Sequence, residues 1–192
     1  MILLSPHSDT VFNHPRIAYH NGVHEGLLDN FIGILVCYLA LYQHPGMRNL
    51  EREGHLRIYH NRGEEYGYLS DEPPTLDAKE DVVIVVDVCA GERYKDIDVS
   101  LENIWEFPEI DEIAAELRRE GYRILTRPYT GDEEDADEAF SWVERGIPVL
   151  SFIIPVQAPE DNWHRIECDN TVRSEVVERA AQCLCRLVLH TL

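Results

Sequence analysis

The chain has 192 residues, 44% of them apolar, and a formal net charge of -19; that length suits one domain with a real core. The charge argues against nucleic acid and anionic membrane as partners, because both would repel it. No run reaches the roughly 18 to 20 apolar residues of a membrane span, no basic leader is visible, and an odd count of cysteines without a CxxC pair fits reduced thiols, so a cytoplasmic protein is expected.

In chain order, residues 1–6 are apolar and predict a strand ending at Pro6-His7. Asp29 to Tyr42 carries apolar residues at helical spacing, with Asp29 suited to capping and Pro45-Gly46 as the stop. Leu56 to Tyr59 predicts a strand running toward Gly63-Glu64-Glu65. Val82 to Val88 is a β-branched run with no polar alternation before Asp87, as expected of a strand covered on both faces. Ile110 to Glu120 reads as a helix and Tyr122 to Thr126 as a strand. Asp135 to Arg145 reads as a helix, Ile147 to Pro155 as a buried strand, and Val172 to Leu192 as a closing helix. The alternation predicts a single α/β domain over 1–192, a three-layer αβα sandwich around a mostly parallel mixed sheet. Cys37, Cys183 and Cys185 fall in apolar helical segments and are read as core, and the acidic run Asp132-Glu133-Glu134-Asp135 as a solvated loop.

The metal-capable residues fall at the ends of these elements. His7 and Asp9 end the first strand, Asp29 opens the first long helix, Glu64 and Glu65 follow the second strand, Asp87 ends the third, and His164 follows 147–155. Ligands of open α/β sheets gather outside the carboxyl ends of strands, so the set can converge. Imidazole nitrogens and carboxylate oxygens are zinc ligands. Two zincs about 3.5 to 4 Å apart need a bridging carboxylate, and an adjacent carboxylate can act as the base toward their shared hydroxide. Asp9 lies two residues after His7 on a strand, hence on the same face, where it can hold the second ring nitrogen.

Ser5-Pro6-His7-Ser8-Asp9-Thr10-Val11 resembles the His-x-Asp-Thr-Val signature of the co-catalytic zinc exopeptidases. That superfamily comprises bacterial leucyl aminopeptidases, tetrahedral-shell aminopeptidases and the carboxypeptidase and aminoacylase branch. Gly26-Leu27-Leu28-Asp29-Asn30 resembles its bridging-aspartate motif, Gly63-Glu64-Glu65-Tyr66-Gly67 its Glu-Glu-x-Gly motif, and Val85-Val86-Asp87-Val88 its third-strand aspartate. Gly146-Ile147-Pro148-Val149 and Trp163-His164 resemble its Gly-Ile-Pro strand and last histidine.

The resemblance implies two divalent ions, zinc by ligand type. One would be held by His7, Asp29 and Asp87, the other by Asp29, Glu65 and His164, with Asp29 bridging. It also implies Glu64 as general base, Asp9 as the residue orienting His7, and a cis bond at Asp29-Asn30. The expected activity is hydrolysis of a peptide or similar small amide by an aminopeptidase-like metallo-exopeptidase. The alternatives are an N-acyl amino-acid deacylase, a single-zinc cyclase, or a non-catalytic binding or structural relative. Asp87 and His164 lie 77 positions apart, which leaves no room for an inserted lid or dimerisation domain, while an exposed sheet edge would favour a homo-oligomer. The family's Asp-Ala element corresponds to Asp135-Ala136 or to Asp137. His14, His20 and His24 are expected in a solvent-facing loop near the site.

Overall fold

The apolar run at Ile2 forms strand β1 (Ile2–Ser5), buried throughout. The computed structural model describes residues 1–9, 16–63, 69, 73–131, 138–158 and 170–192. Its further strands are β2 (Ile17–His20), β3 (Val23–Gly26), β4 (Leu56–Ile58), β5 (Val82–Cys89), β6 (Val99–Trp105), β7 (Ile124–Pro128), β8 (Val149–Pro155) and β9 (Thr171–Arg173). The α-helices are α1 (Phe31–Gln43), α2 (Pro45–Arg52), α3 (Ile110–Arg119), α4 (Ala139–Glu144) and α5 (Ser174–Thr191). Six strands form the main sheet in the order β4-β1-β5-β8-β6-β7, and β2-β3-β9 form a small antiparallel one. Strands β4, β1, β5 and β8 run parallel; β6 pairs antiparallel with β8 and parallel with β7.

Strand alternation builds a core on each face of the sheet. Ile2 and Leu4 of β1, with Val82, Ile84, Val86 and Val88 of β5, face the larger cluster, completed by α1, α3 and α5. Leu3, Val83 and Val85 face a smaller cluster with Ala139 and Trp142 of α4. Helices thus cover both faces, and the expected three-layer α/β sandwich with a mostly parallel mixed sheet is the observed architecture. Cys37, Cys183 and Cys185 are buried free thiols, as expected of core residues.

Several elements differ from their sequence expectation. Asn30, not Asp29, caps α1: its Oδ1 accepts the Gly33 N–H at 2.9 Å while its Nδ2 donates to the Val86 carbonyl at 2.6 Å. Asp29 turns toward His7 instead. Helix α1 does stop before Pro45, as expected, but Pro45 then opens a second helix, α2, at the position where its missing N–H is harmless. The closing helix starts at Ser174, because Thr171–Arg173 pairs with β3. The strand expected at 122–126 lies at Ile124–Pro128, since the Tyr122 N–H closes the end of α3 on Leu117. Helix α4 begins at Ala139; Asp132 to Asp137, with that acidic run, lie outside the described residues. The β2–β3 hairpin and β6 have no counterpart in the sequence expectation. Among the described residues no helix is long and apolar enough to cross a membrane.

Candidate metal centre

Strand β1 carries the chain to the carboxyl edge of the sheet, where His7 continues the parallel ladder by bridging to Asn61 beyond β4. The Ser8 N–H donates to the Asn61 carbonyl at 2.7 Å, and the Asn61 N–H to the Pro6 carbonyl at 3.2 Å. By strand parity His7 shares the face of Leu3 and Ser5, and Asp87 that of Val83 and Val85. Asp29 arrives from the hairpin: Gly26 adopts φ +115, and a Cβ there would lie 2.0 Å from the Arg16 carbonyl oxygen. Leu27 and Leu28 are then buried, and Asp29 stands just before the Asn30 cap, joined to it by a cis bond as the family resemblance implied.

The three side chains meet. His7 Nε2 lies 2.8 Å from Asp29 Oδ1 and 3.4 Å from Asp87 Oδ1. One candidate ligand atom from each falls within 4.8 Å of the others, and all three residues are buried. On the far side of the ring, His7 Nδ1 lies 3.6 Å from Asp9 Oδ1, an ion-pair contact rather than a hydrogen bond. The Val88 N–H donates to Asp87 Oδ1 at 2.7 Å and fixes that carboxylate.

Electrostatically the cluster carries surplus negative charge. Burial pushes the Asp87 carboxyl up to about 6, and Asp29 adds to the rise, against the opposing pull of His7 and the Val88 amide. Burial is the largest single influence and opposes a charged His7, but the carboxylates of Asp87, Asp29 and Asp9 together outweigh it and hold the imidazole pKa well above its usual value. One imidazole nitrogen and two carboxylate oxygens, buried and converging, are a donor set that fits a divalent ion.

Of the expected site residues, His7, Asp9, Asp29 and Asp87 are thus brought together. Glu64, Glu65 and His164 lie outside the described residues, as do His14, Trp163, Cys168, Asp135 and Asp137. His20 and His24 are not in a loop: His20 ends β2, exposed, and His24 lies in β3 with its ring 6.3 Å from that of Phe31. Asn30 and Asn61 position the cluster and were not singled out in the sequence, although Asn before a helical run is a capping signal. Glu138 was also passed over, beside Asp135 and Asp137. It is 5% exposed and accepts hydrogen bonds from Ser5 Oγ and from Trp142 Nε1, under the strand that carries His7. Its adjacency to Ala139, and Trp142 four residues on, was the available signal.

No protein-family model matches the chain, and no curated protein does. Solved structures do. An aminopeptidase from the archaeon Desulfurococcus kamchatkensis superposes with a TM-score of 0.61 at 11% identity, over 91% of this chain and 51% of that one. The Pyrococcus horikoshii TET1 peptidase, which can assemble into a tetrahedron or a large octahedral shell, gives 0.57 at 12%, over 91% and 52%. An M18-family aminopeptidase from Thermotoga maritima gives 0.55 at 15%, over 91% and 48%. At such identities the likeness is one of fold, and the chain spans about half the length of these structures. The histidine–aspartate cluster therefore sits on the α/β fold that the TET and M18 aminopeptidases share.

Proposed function

We propose that the protein is a metal-dependent hydrolase of peptide or similar small amide bonds, aminopeptidase-like in its chemistry. The observation that carries this reading is the buried convergence of His7, Asp29 and Asp87 at the carboxyl edge of a peptidase-type sheet. In this reading His7, Asp29 and Asp87 hold one ion, and Asp29, Glu65 and His164 hold a second, zinc being favoured by the mixed nitrogen and oxygen donors. When bound, the ions supply Lewis acidity that polarises an amide carbonyl and makes water nucleophilic near neutral pH.

The remaining work falls to the chain. Glu64 takes a proton from the attacking water and returns it to the departing amine. Asp9 faces His7 Nδ1 and so fixes which ring nitrogen is offered toward Asp29 and Asp87. The Asn30 cap ties the start of α1 to β5, which keeps Asp29 and Asp87 at constant separation. Free buried thiols fit a cytoplasmic, reducing compartment, and the acidic chain is read as having no nucleic-acid or membrane partner.

Metal content per chain, measured on protein purified without a histidine tag or chelator, tests the reading. Close to two ions, with hydrolysis of amino-acid anilides, is the expected result. Close to one moves the assignment to a single-ion enzyme, and none after zinc incubation overturns it. In Glu64→Gln the metal content is expected to stay while turnover falls by about 10² to 10⁴; unchanged turnover removes Glu64 from its role.

A further inference from the structure

The register of β1 with β5 ends at Ser5, opposite Val85. Pro6 follows and has no N–H with which to continue a ladder. On the β4 side His7 is bridged to Asn61, and the backbone bonds of Asn61 to Pro6 and of Ser8 to Asn61 carry the chain past the ligand. A side chain supplies the hold on the face below. Ser5 and His7 stand on the same face of the strand, and the buried hydroxyl of Ser5 donates to Glu138 Oε1.

Glu138 is itself anchored. It directly precedes α4, and the same Oε1 accepts the Trp142 Nε1–H at 3.2 Å. Trp142 is 1% exposed and packs in the smaller core with Leu3, Val83 and Val85. Tyr59 meets it edge-on, with ring centroids 6.3 Å apart, and the Tyr59 N–H donates to the Leu4 carbonyl at 2.8 Å. A closed circuit thus runs from β1 through Glu138, Trp142 and Tyr59 back to β1.

A carboxylate is a costly group to bury for packing alone, since an apolar side chain would fill the same space. What it adds here is direction: one acceptor oxygen is shared by the strand that bears His7 and by the helix layer beneath. We infer that Glu138 is a positioning residue of the metal centre, setting His7 against Asp29 and Asp87 through its bond to Ser5. The inference rests on the metal reading proposed above. Glu138 lies under the strand, so it acts through Ser5 rather than as a ligand. Its negative charge works in the same direction, because a carboxylate close beneath the cluster adds to the attraction for a cation.

Zinc affinity of the metal-free full chain, measured by competition with a chromogenic chelator, separates this role from a merely stabilising one. A variant that is less stable but folded would bind zinc as the parent does. Glu138→Ala is expected to bind zinc about 10 to 100 times more weakly, and Ser5→Ala on the order of ten times, each with the circular dichroism spectrum of the parent. The double variant should bind no more weakly than Glu138→Ala, since the two residues act along one route. Glu138→Gln keeps an acceptor for both donors and loses the charge, so its affinity should lie between those of the parent and Glu138→Ala. Unchanged affinity in Ser5→Ala overturns the inference. So do losses that add in the double variant, or a Gln variant no better than the Ala one. If Glu138→Ala does not fold, Ser5→Ala alone decides. A parent chain that binds no zinc overturns the metal reading instead. The NMR signals of the His7 ring in the metal-free protein then test the positioning: they should move in Glu138→Ala, and unmoved signals overturn it.

Discussion

Asp98 and Asp87 are both buried aspartates, 6% and 7% exposed, on neighbouring parts of the same structure, yet their surroundings are opposite. Asp98, just before β6, is met by Arg123, through its backbone N–H and its guanidinium, each at 2.8 Å, and by Arg179 Nε at 2.9 Å. Burial pushes its carboxyl up, but the bonds from Arg123 and Arg179 outweigh this and hold it below the usual range. Asp87 has another aspartate and one imidazole for company and is held above that range. A buried carboxylate whose charge is already balanced ties β6, β7 and α5 together. A buried pair whose charge is not balanced is a place for a cation. The arrangement of partners, not the burial, separates the charge-balanced aspartate from the one left short of positive charge.

The sharpest way to break this contrast is to remove Asp29. With zinc at about a hundredfold above its dissociation constant the wild-type protein should gain about 2.7 kcal/mol, and Asp29→Ala should gain none in the same thermal-melt titration. A zinc shift that persists in Asp29→Ala would put the metal elsewhere. Asp98→Asn should keep the zinc response but lose about 2 kcal/mol of stability without metal. That is below the range for breaking a fully buried pair because both arginines are substantially exposed. Denaturant midpoints of the metal-free proteins measure it.

The sign of the pH dependence sharpens the comparison further. A carboxyl held below its unfolded value contributes stability that is complete above that value and is lost as pH falls through the folded one. The acid limb of the wild-type stability curve should therefore be steeper than that of Asp98→Asn at pH below the usual carboxylate value of 3.8. Parallel acid limbs would show that Asp98 gains nothing from its arginines. Asn30→Ala should have the smallest effect, about 1 kcal/mol for the lost α1 cap, together with weaker zinc binding, because the same side chain holds Val86 beside Asp87.

Much of this was legible in the residues. The continuous β-branched run of β5 and the apolar run of β8 announce buried parallel strands, and His7, Asp9, Asp29 and Asp87 fall at element ends where the fold does gather them. What was missed has identifiable causes. Asn21-Gly22 is a strong hairpin signal, but the flanking Ile17–His20 and Val23–Gly26 mix polar and apolar residues without clean alternation. Strand β6 reads Val-Ser-Leu-Glu-Asn-Ile-Trp and departs from regular pairing after Glu102, which blurs its period. The capping role passed from Asp29 to Asn30 because a helix start with two adjacent amide and acid side chains is ambiguous until tertiary contacts assign one of them elsewhere. Glu138 escaped notice because nothing local marks which of several acidic residues before α4 turns inward.

Strand β1 pairs Ile2 with Leu56 on one side and with Val82 on the other, so its partners come from far along the chain. Such pairing closes long loops and forms slowly. His7 therefore reaches Asp87 only once the middle of the sheet is assembled, and Asp29 only once the hairpin has docked through Gly26. In a zinc finger the ion organises an otherwise unfolded chain. Here the three side chains meet only in the finished sheet, so an ion bound among them would act as a latch closed at the end of folding rather than as its seed. The apoprotein should acquire its fold unaided and then accept metal.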